Sequence, residues 1–308
     1  MKVAFLGTSA FACPALDALS RDHNVRLVVT QPDRPAGRGE RLKAPPVKEL
    51  ASRLGLRIAQ PPKVSTEEGV LLLREADPDV IVVAAYGQIL RRSVFGLPRL
   101  GTINIHASLL PRHRGAAPVS WAIIQGDRET GVTTFFIEEG LDTGKTLLER
   151  SLSIGADETA GELHDRLAVL GADLIIETLR GIETQTVMAV PQDETKATHA
   201  PKLGRDDGQI DWTLSARQIH DHVRGMNPWP GAFARLGHER LKVHRTGITG
   251  VRRGAFQPGA IALAETGRLL VASADELIEL LEVQKESRPR TTGRDLLHGL
   301  RPIPDRLG

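Results

Sequence analysis

Four successive β-branched residues, Val80-Ile81-Val82-Val83, leave few architectures open to this chain. Side chains of a strand point alternately to its two faces, so a strand this uniformly apolar must be covered on both, as in a parallel sheet between helical layers. The surrounding pattern agrees. Lys2 to Leu6, Val25 to Thr30, Val80 to Ala85 and Thr102 to His106 read as strands, with helical patterns at Pro14 to Ser20, Pro46 to Leu54, Glu67 to Glu75 and Pro118 to Gln125. This alternation predicts a doubly wound, mainly parallel α/β domain. Gly131 to Ile137 and Thr146 to Ile154 supply two further strands. Thr159-Ala160-Gly161-Glu162 has capping-box spacing and opens a helix whose apolar stripe runs through Leu163, Leu167, Leu170, Leu174 and Leu179.

Beyond that helix the pattern changes. Thr184 to Asp211 is polar, contains Pro191 and Pro201 and has no sustained periodicity, so it reads as a linker. A helix over Ser215 to Arg224 then precedes short strand-like runs at Leu241 to His244, Ala260 to Leu263, Leu269 to Ala272 and Leu277 to Val283, which predict a small β-barrel. The expected organisation is therefore an α/β domain at 1–183, a linker at 184–211 and a β domain at 212–308, and 308 residues suit two domains. The single Cys13 cannot form an internal bridge, which suits a reducing compartment. The longest apolar run, Val80 to Tyr86, is too short to cross a bilayer, and Gly7 breaks the first strand before a signal-like core develops. A cytoplasmic, monomeric protein without membrane association is expected.

Net charge is only +2, but its distribution is uneven. Thr30 to Lys48 carries five basic residues against two acidic, and Arg235 to Phe256 carries six against one. Such runs are more often solvated faces than nucleic-acid footprints.

The polar residues at the end of the fourth strand are more informative. Asn104 and His106 lie two apart and so share one face, at the carboxyl end where doubly wound folds bind ligands. An amide beside an imidazole can hold an oxyanion and exchange a proton near neutral pH, which suits attack on a carbonyl. Asp142, in the turn Glu139-Gly140-Leu141-Asp142-Thr143-Gly144, could reach the same crevice and support the imidazole. Ser108 lies too close to His106 in sequence for triad geometry and has no nucleophile-elbow context, so direct transfer fits better than a covalent intermediate. The first loop, Gly7-Thr8-Ser9-Ala10-Phe11-Ala12, lacks the glycine spacing of a dinucleotide site. His220 and His222 make poor joint metal ligands, Cys13 reads as a packing residue, and Trp229 between Pro228 and Pro230 reads as a packed turn.

Asn104 to Pro111, Arg114-Gly115-Ala116-Ala117-Pro118 and Leu141-Asp142-Thr143-Gly144 together resemble the signature of the folate-dependent formyltransferases. The loop from Gln31 to Gly39, Pro201-Lys202-Leu203, Ile210-Asp211-Trp212 and Asn227-Pro228-Trp229-Pro230-Gly231 extend the resemblance toward the branch acting on methionyl-tRNA, essentially from end to end. Ala107 departs from the glycine that relatives often have there. The resemblance implies a Rossmann-like catalytic domain and an OB-like tRNA-binding domain. It implies that 10-formyltetrahydrofolate gives its formyl group to the α-amino group of initiator methionyl-tRNA, with no metal. Asn104, His106 and Asp142 match the catalytic positions. Ser108, Leu109, Leu110 and Pro111 match the folate-lining segment, with Tyr86 and Gly87 nearby. Arg38, Arg41 and Lys43 match the loop inserted at the acceptor end of tRNA, Lys202 matches a lysine near the site, and the basic face with Arg240, Lys242 and Arg245 would extend the tRNA contact.

Three rivals stay open on sequence alone. A formyltransferase of sugar-nucleotide amines shares the catalytic elements but lacks the Arg38 loop. A glycinamide-ribonucleotide formyltransferase ends near the first domain. A catalytically silent RNA-binding protein would not need all three polar residues.

Overall fold

The structure is a computed structural model that describes residues 1–36, 41–263, 267–300 and 302–308. In chain order its elements are β1 (Lys2–Gly7), α1 (Cys13–Asp22), β2 (Asn24–Val29), β3 (Arg34–Ala36), β4 (Arg41–Lys43), α2 (Pro46–Arg53), β5 (Ile58–Ala59), α3 (Glu67–Ala76), β6 (Val80–Ala84), α4 (Arg92–Phe95), β7 (Thr102–His106), β8 (Arg114–Gly115), α5 (Pro118–Ile124), β9 (Glu129–Phe136) and β10 (Thr146–Ser153). They continue with α6 (Ala160–Glu183), β11 (His199–Ala200), α7 (Ala216–Gly225), β12 (Ala232–Leu236), β13 (Glu239–Arg252), β14 (Ile261–Leu263), β15 (Leu269–Ala272), β16 (Glu276–Lys285), β17 (Thr291–Thr292) and α8 (Gly293–Gly299). The chain forms two compact units that are each discontinuous. Met1–Pro118, Glu129–Leu152 and His164–Ala200 make one, and Val119–Arg128, Ser153–Leu163 and Pro201–Gly308 make the other.

The first unit is built on a seven-stranded sheet of order β10-β9-β7-β6-β1-β2-β5. Strands β5, β2, β1, β6 and β7 run parallel, and β9 is antiparallel to β7. Every residue of β6 is buried, as its β-branched run requires. Ala4, Leu6, Leu27, Val29, Ile81 and Val83 form one face of the core with Val70, Leu73 and Ala76 of α3. Val3, Phe5, Val28, Val80 and Val82 are buried on the alternate positions. The chain leaves β1 for β2 on one side and returns to β6 on the other, which makes the carboxyl ends of β1 and β6 the topological switch point at which folds of this kind bind ligands. The expected doubly wound architecture is what the chain adopts.

The second unit carries an antiparallel sheet of order β12-β13-β16-β15-β14, with β17 on β16. Its helix α7 opens with a complete capping box between Ser215 and Gln218, and His220 of that helix bonds the Thr246 hydroxyl at 3.0 Å and the Ala156 carbonyl at 3.1 Å. The capping box expected at Thr159 is also formed, with Glu162 accepting from the Thr159 amide at 2.8 Å.

Several features were not legible in sequence. The basic segment after β2 contains the β3–β4 hairpin, in which Arg34 pairs with Lys43. Strand β12 was missed because its run, Ala232-Phe233-Ala234-Arg235-Leu236, is too short to show alternation clearly. Residues 184–200 do not span open space: Thr146 and Val190 exchange backbone hydrogen bonds, and β11 pairs with β8 in parallel. Trp229 lies in the expected turn, but its side chain is not packed, being 56% exposed. The proline on either side restricts the backbone without providing an apolar cover for the ring.

Candidate active site

Strand β7 delivers the two polar residues that the sequence singles out. Asn104 pairs with Val83 of β6 and Phe135 of β9, and His106 pairs with Thr133. They share a face by the alternation of the strand. Asn104 is half-buried, whereas His106 is 6% exposed with its ring edge-on to Phe135 at 6.2 Å. His106 Nε2 lies 3.0 Å from the His113 carbonyl oxygen. Because a carbonyl only accepts, Nε2 must carry the hydrogen, and Nδ1 is left for chemistry. That nitrogen stands 3.7 Å from Asp142 Oδ2, too far for a hydrogen bond but with the carboxylate facing it.

Asp142 is held by backbone rather than by chance of rotamer. Its Oδ2 accepts the Gly115 amide at 2.8 Å. The turn 111–117 thus supplies a partner to both groups, the His113 carbonyl to the imidazole and the Gly115 amide to the carboxylate. It is itself sewn to residues 198–200: Arg114 N donates to Thr198 O at 2.9 Å, and Ala116 N and Ala117 N donate to Ala200 O at 2.9 and 3.2 Å. Two glycines are obligatory in this arrangement. A Cβ on Gly115, whose φ is +125°, would lie 2.6 Å from the Ala200 oxygen, and one on Gly144 would fall 1.7 Å from the Phe136 oxygen. Three non-glycine residues around the strand ends also adopt left-handed backbone: Ala85 at φ 42°, His113 at 57° and Asp142 at 54°. Each costs about 1–2 kcal/mol, and such costs gather where geometry serves a site.

The segment expected to line a folate site forms a tight apolar turn. Ser108 is fully buried and its hydroxyl donates to Arg112 O at 2.6 Å, so it is committed to the turn. Thr133 Oγ1 donates to Ser108 O at 2.7 Å and accepts from Leu110 N at 3.0 Å. Leu110 is buried, while Leu109 and Pro111 are half-buried. At the end of β6, Tyr86 is buried and its phenol has no hydrogen-bond partner. Burial pushes that phenol up to about 12, which removes it as a base near neutral pH. Gly87 is exposed, and Gln31 Nε2 donates to the Tyr86 and Gly87 carbonyls at 3.1 and 3.0 Å.

The basic candidates fall into separate groups. Arg38 lies outside the described residues, as does the side chain of Arg41. Lys43 is exposed on β4, which leads from those residues. In the second unit, Lys202 and Lys242 are exposed, Arg240 stacks 3.8 Å over the Phe233 ring, and Arg245 donates to Glu162 at 2.7 Å. Arg245 is therefore already paired, whereas Lys242 is open to solvent. Among the described residues no group of three or more His, Cys, Asp and Glu has metal-binding spacing, and no helix is long and apolar enough to cross a membrane.

The sequence did not single out Gln31, Thr133 or Gln192 for the site. Gln192 Nε2 donates to the carbonyls of Asp142 and Gly144 at 2.8 and 2.7 Å. No short-range pattern could have found it, since the contact spans 50 residues. The structure brings an oriented imidazole and a carboxylate together, with the Asn104 amide on the same strand face as the imidazole, residue types that suit transfer of an acyl group to an amine.

Comparison with known proteins agrees with that chemistry. Residues 1–179 match the family model described as formyl transferase, and residues 202–301 match that of the formyl transferase C-terminal domain. The chain is 47% identical over 303 residues to the methionyl-tRNA formyltransferase of Solibacter usitatus, covering 98% of this chain and 96% of that one. It is 44% identical over 301 residues to that of Ruminiclostridium cellulolyticum, covering 97% and 96%. Among solved structures, an N-formyltransferase from Helicobacter canadensis in complex with folinic acid and dTDP-3-aminofucose superposes with a TM-score of 0.69 at 17% identity, covering 92% and 99%. At that identity the likeness concerns the fold.

Proposed function

Because the chain belongs to the formyl transferase family, together with relatives named methionyl-tRNA formyltransferase, we propose that it moves the formyl group of 10-formyltetrahydrofolate to the α-amino group of initiator methionyl-tRNA. The product serves translation initiation. The observation that carries this reading is full-length similarity at 44% and 47% identity, because the fold is shared with a sugar formyltransferase and does not choose the acceptor.

Asn104, His106 and Asp142 are the catalytic residues in this reading. The uncharged amine attacks the formyl carbon, a C–N bond forms, and the carbonyl electron pair moves to oxygen. The Asn104 amide and His106, protonated at Nδ1, hold that oxygen. His106 Nε2 is spent on the His113 carbonyl, so Nδ1 is the nitrogen that serves. Collapse breaks the bond to the folate nitrogen, and the proton lost by the amine passes to that leaving nitrogen. Asp142, 3.7 Å from that nitrogen, supports His106 and the movement of the proton. The folate donor would rest against Leu109, Leu110 and Pro111 beside the Tyr86–Gly87 loop, an apolar turn with directed backbone carbonyls. Arg38, Arg41 and Lys43, with Lys202, Arg240, Lys242 and Arg245, are assigned to tRNA.

The test supplies 10-formyltetrahydrofolate labelled in the formyl carbon with charged initiator tRNA or, separately, with a dTDP-amino sugar. Label should enter the methionyl ester of the tRNA. Label in the sugar alone overturns the acceptor, and label in neither overturns the activity.

A further inference from the structure

Residues 190–200 do more than lie along the first unit. Gln192 is bonded on both ends of its amide. Its Nε2 donates to the carbonyl of the left-handed Asp142 at 2.8 Å and to that of Gly144 at 2.7 Å. Its Oε1 accepts from Arg114 Nε at 3.1 Å and Nη2 at 2.7 Å. Arg114 is 3% exposed and is also bound in fork geometry by Glu194, at 2.8 Å to each carboxylate oxygen. Arg114 directly precedes Gly115, whose amide holds the Asp142 carboxylate. One closed ring of hydrogen bonds therefore runs from the carboxylate through Gly115, Arg114 and Gln192 back to the Asp142 carbonyl.

The chemical composition of this ring is specific. A primary amide is the one neutral side chain type that can donate twice to carbonyls and accept a forked guanidinium at the other end. Burying the Arg114 cation requires a partner, and Glu194 supplies it, holding the guanidinium above its ordinary range. Asp142 in turn sits in a left-handed backbone conformation, φ 54°, that non-glycine residues adopt infrequently.

We infer that Gln192, braced by the Arg114–Glu194 pair, is a positioning residue that fixes the Asp142 carboxylate against His106 and thereby sets the rate of the chemical step. This rests on Asp142 acting in catalysis as proposed above. Gln192 touches neither His106 nor the reacting atoms in this arrangement, so its effect should fall on kcat rather than on substrate KM. A displacement of about 1 Å at a reacting group can cost up to about 100-fold in rate.

The experiment compares Gln192→Glu, Gln192→Asn, Glu194→Gln and Asp142→Asn by steady-state and single-turnover formylation, pH–rate profile and thermal melt. Gln192→Glu keeps the oxygen facing Arg114 but loses both donors to the turn. It should lower kcat about 10- to 100-fold, leave both KM values within about twofold, and change the kcat pH profile from that of the wild type. Glu194→Gln should give a smaller loss of the same type. Wild-type kcat and pH profile in Gln192→Glu, with Asp142→Asn inactive, overturn the positioning role while the catalytic reading stands. An active Asp142→Asn overturns the catalytic reading itself. If Gln192→Glu does not fold, Gln192→Asn and Glu194→Gln decide: a raised KM with unchanged kcat in both overturns the inference, and a lowered kcat with unchanged KM supports it.

Discussion

Asp142 Oδ2 accepts the Gly115 amide at 2.8 Å while facing His106 Nδ1 at 3.7 Å. The carboxylate is thus anchored by backbone while it faces the imidazole nitrogen that the His113 carbonyl leaves free.

His106→Ala and Asp142→Ala should each cut the single-turnover rate by about 100- to 10,000-fold. Both variants should remain folded. Neither side chain belongs to the core of β1, β2 and β6, so near-wild-type turnover in rapid-quench assays would reject their roles.

Ser108→Ala discriminates direct from covalent transfer. The hydroxyl donates to Arg112 O and is fully buried, so its loss should cost about 1 kcal/mol of stability. The kcat should fall less than about tenfold, and no formyl-enzyme should accumulate on mixing with the donor alone. A labelled ester on the wild-type protein, absent in the variant, would contradict this.

Lys43 is exposed on β4. If it meets a phosphate, Lys43→Ala should weaken tRNA binding and flatten the dependence of log K on log salt by about one unit. Folate affinity should not change. Filter binding at several salt concentrations checks both, and an unaltered slope removes Lys43 from the interface.

Glu162 carries a pH signature in the second unit. Hydrogen bonds from the Thr159 amide and hydroxyl, then from Arg245, hold its carboxyl down at about 2 against an ordinary 4.5. A depressed folded value means stability that is complete above pH 4.5 and is lost as pH falls toward 2. In urea melts, the stability gap between wild type and Glu162→Gln should be constant from pH 6 to about 5 and then close on further acidification. A gap that widens in acid would reverse the sign. The ion pair is half-exposed, so salt should shrink the gap throughout.

Arg245 belongs to both charge and fold, which bears on its assignment to tRNA. It already donates to Glu162, so any phosphate must compete with that carboxylate. Lys242, exposed and without such a partner among the described residues, is the more available of the two. Sequence places both on one basic stretch and cannot separate them, because pairing with Glu162 spans 83 residues.

What the sequence determined by itself is whatever depends on short-range periodicity and steric class. The β-branched run at Val80 required a strand covered on both faces, and the capping pattern at Thr159 marked a helix start. The spacing of Asn104 and His106 put both on one face. Only tertiary structure decided that His106 spends Nε2 on the His113 carbonyl, that Gly115 anchors Asp142, and that a stretch reading as linker supplies Gln192 to the turn that carries Asp142. The physical reason is that hydrogen bonds between segments dozens of residues apart leave no periodic trace: a buried polar group needs some partner, but composition does not say which one the fold will bring.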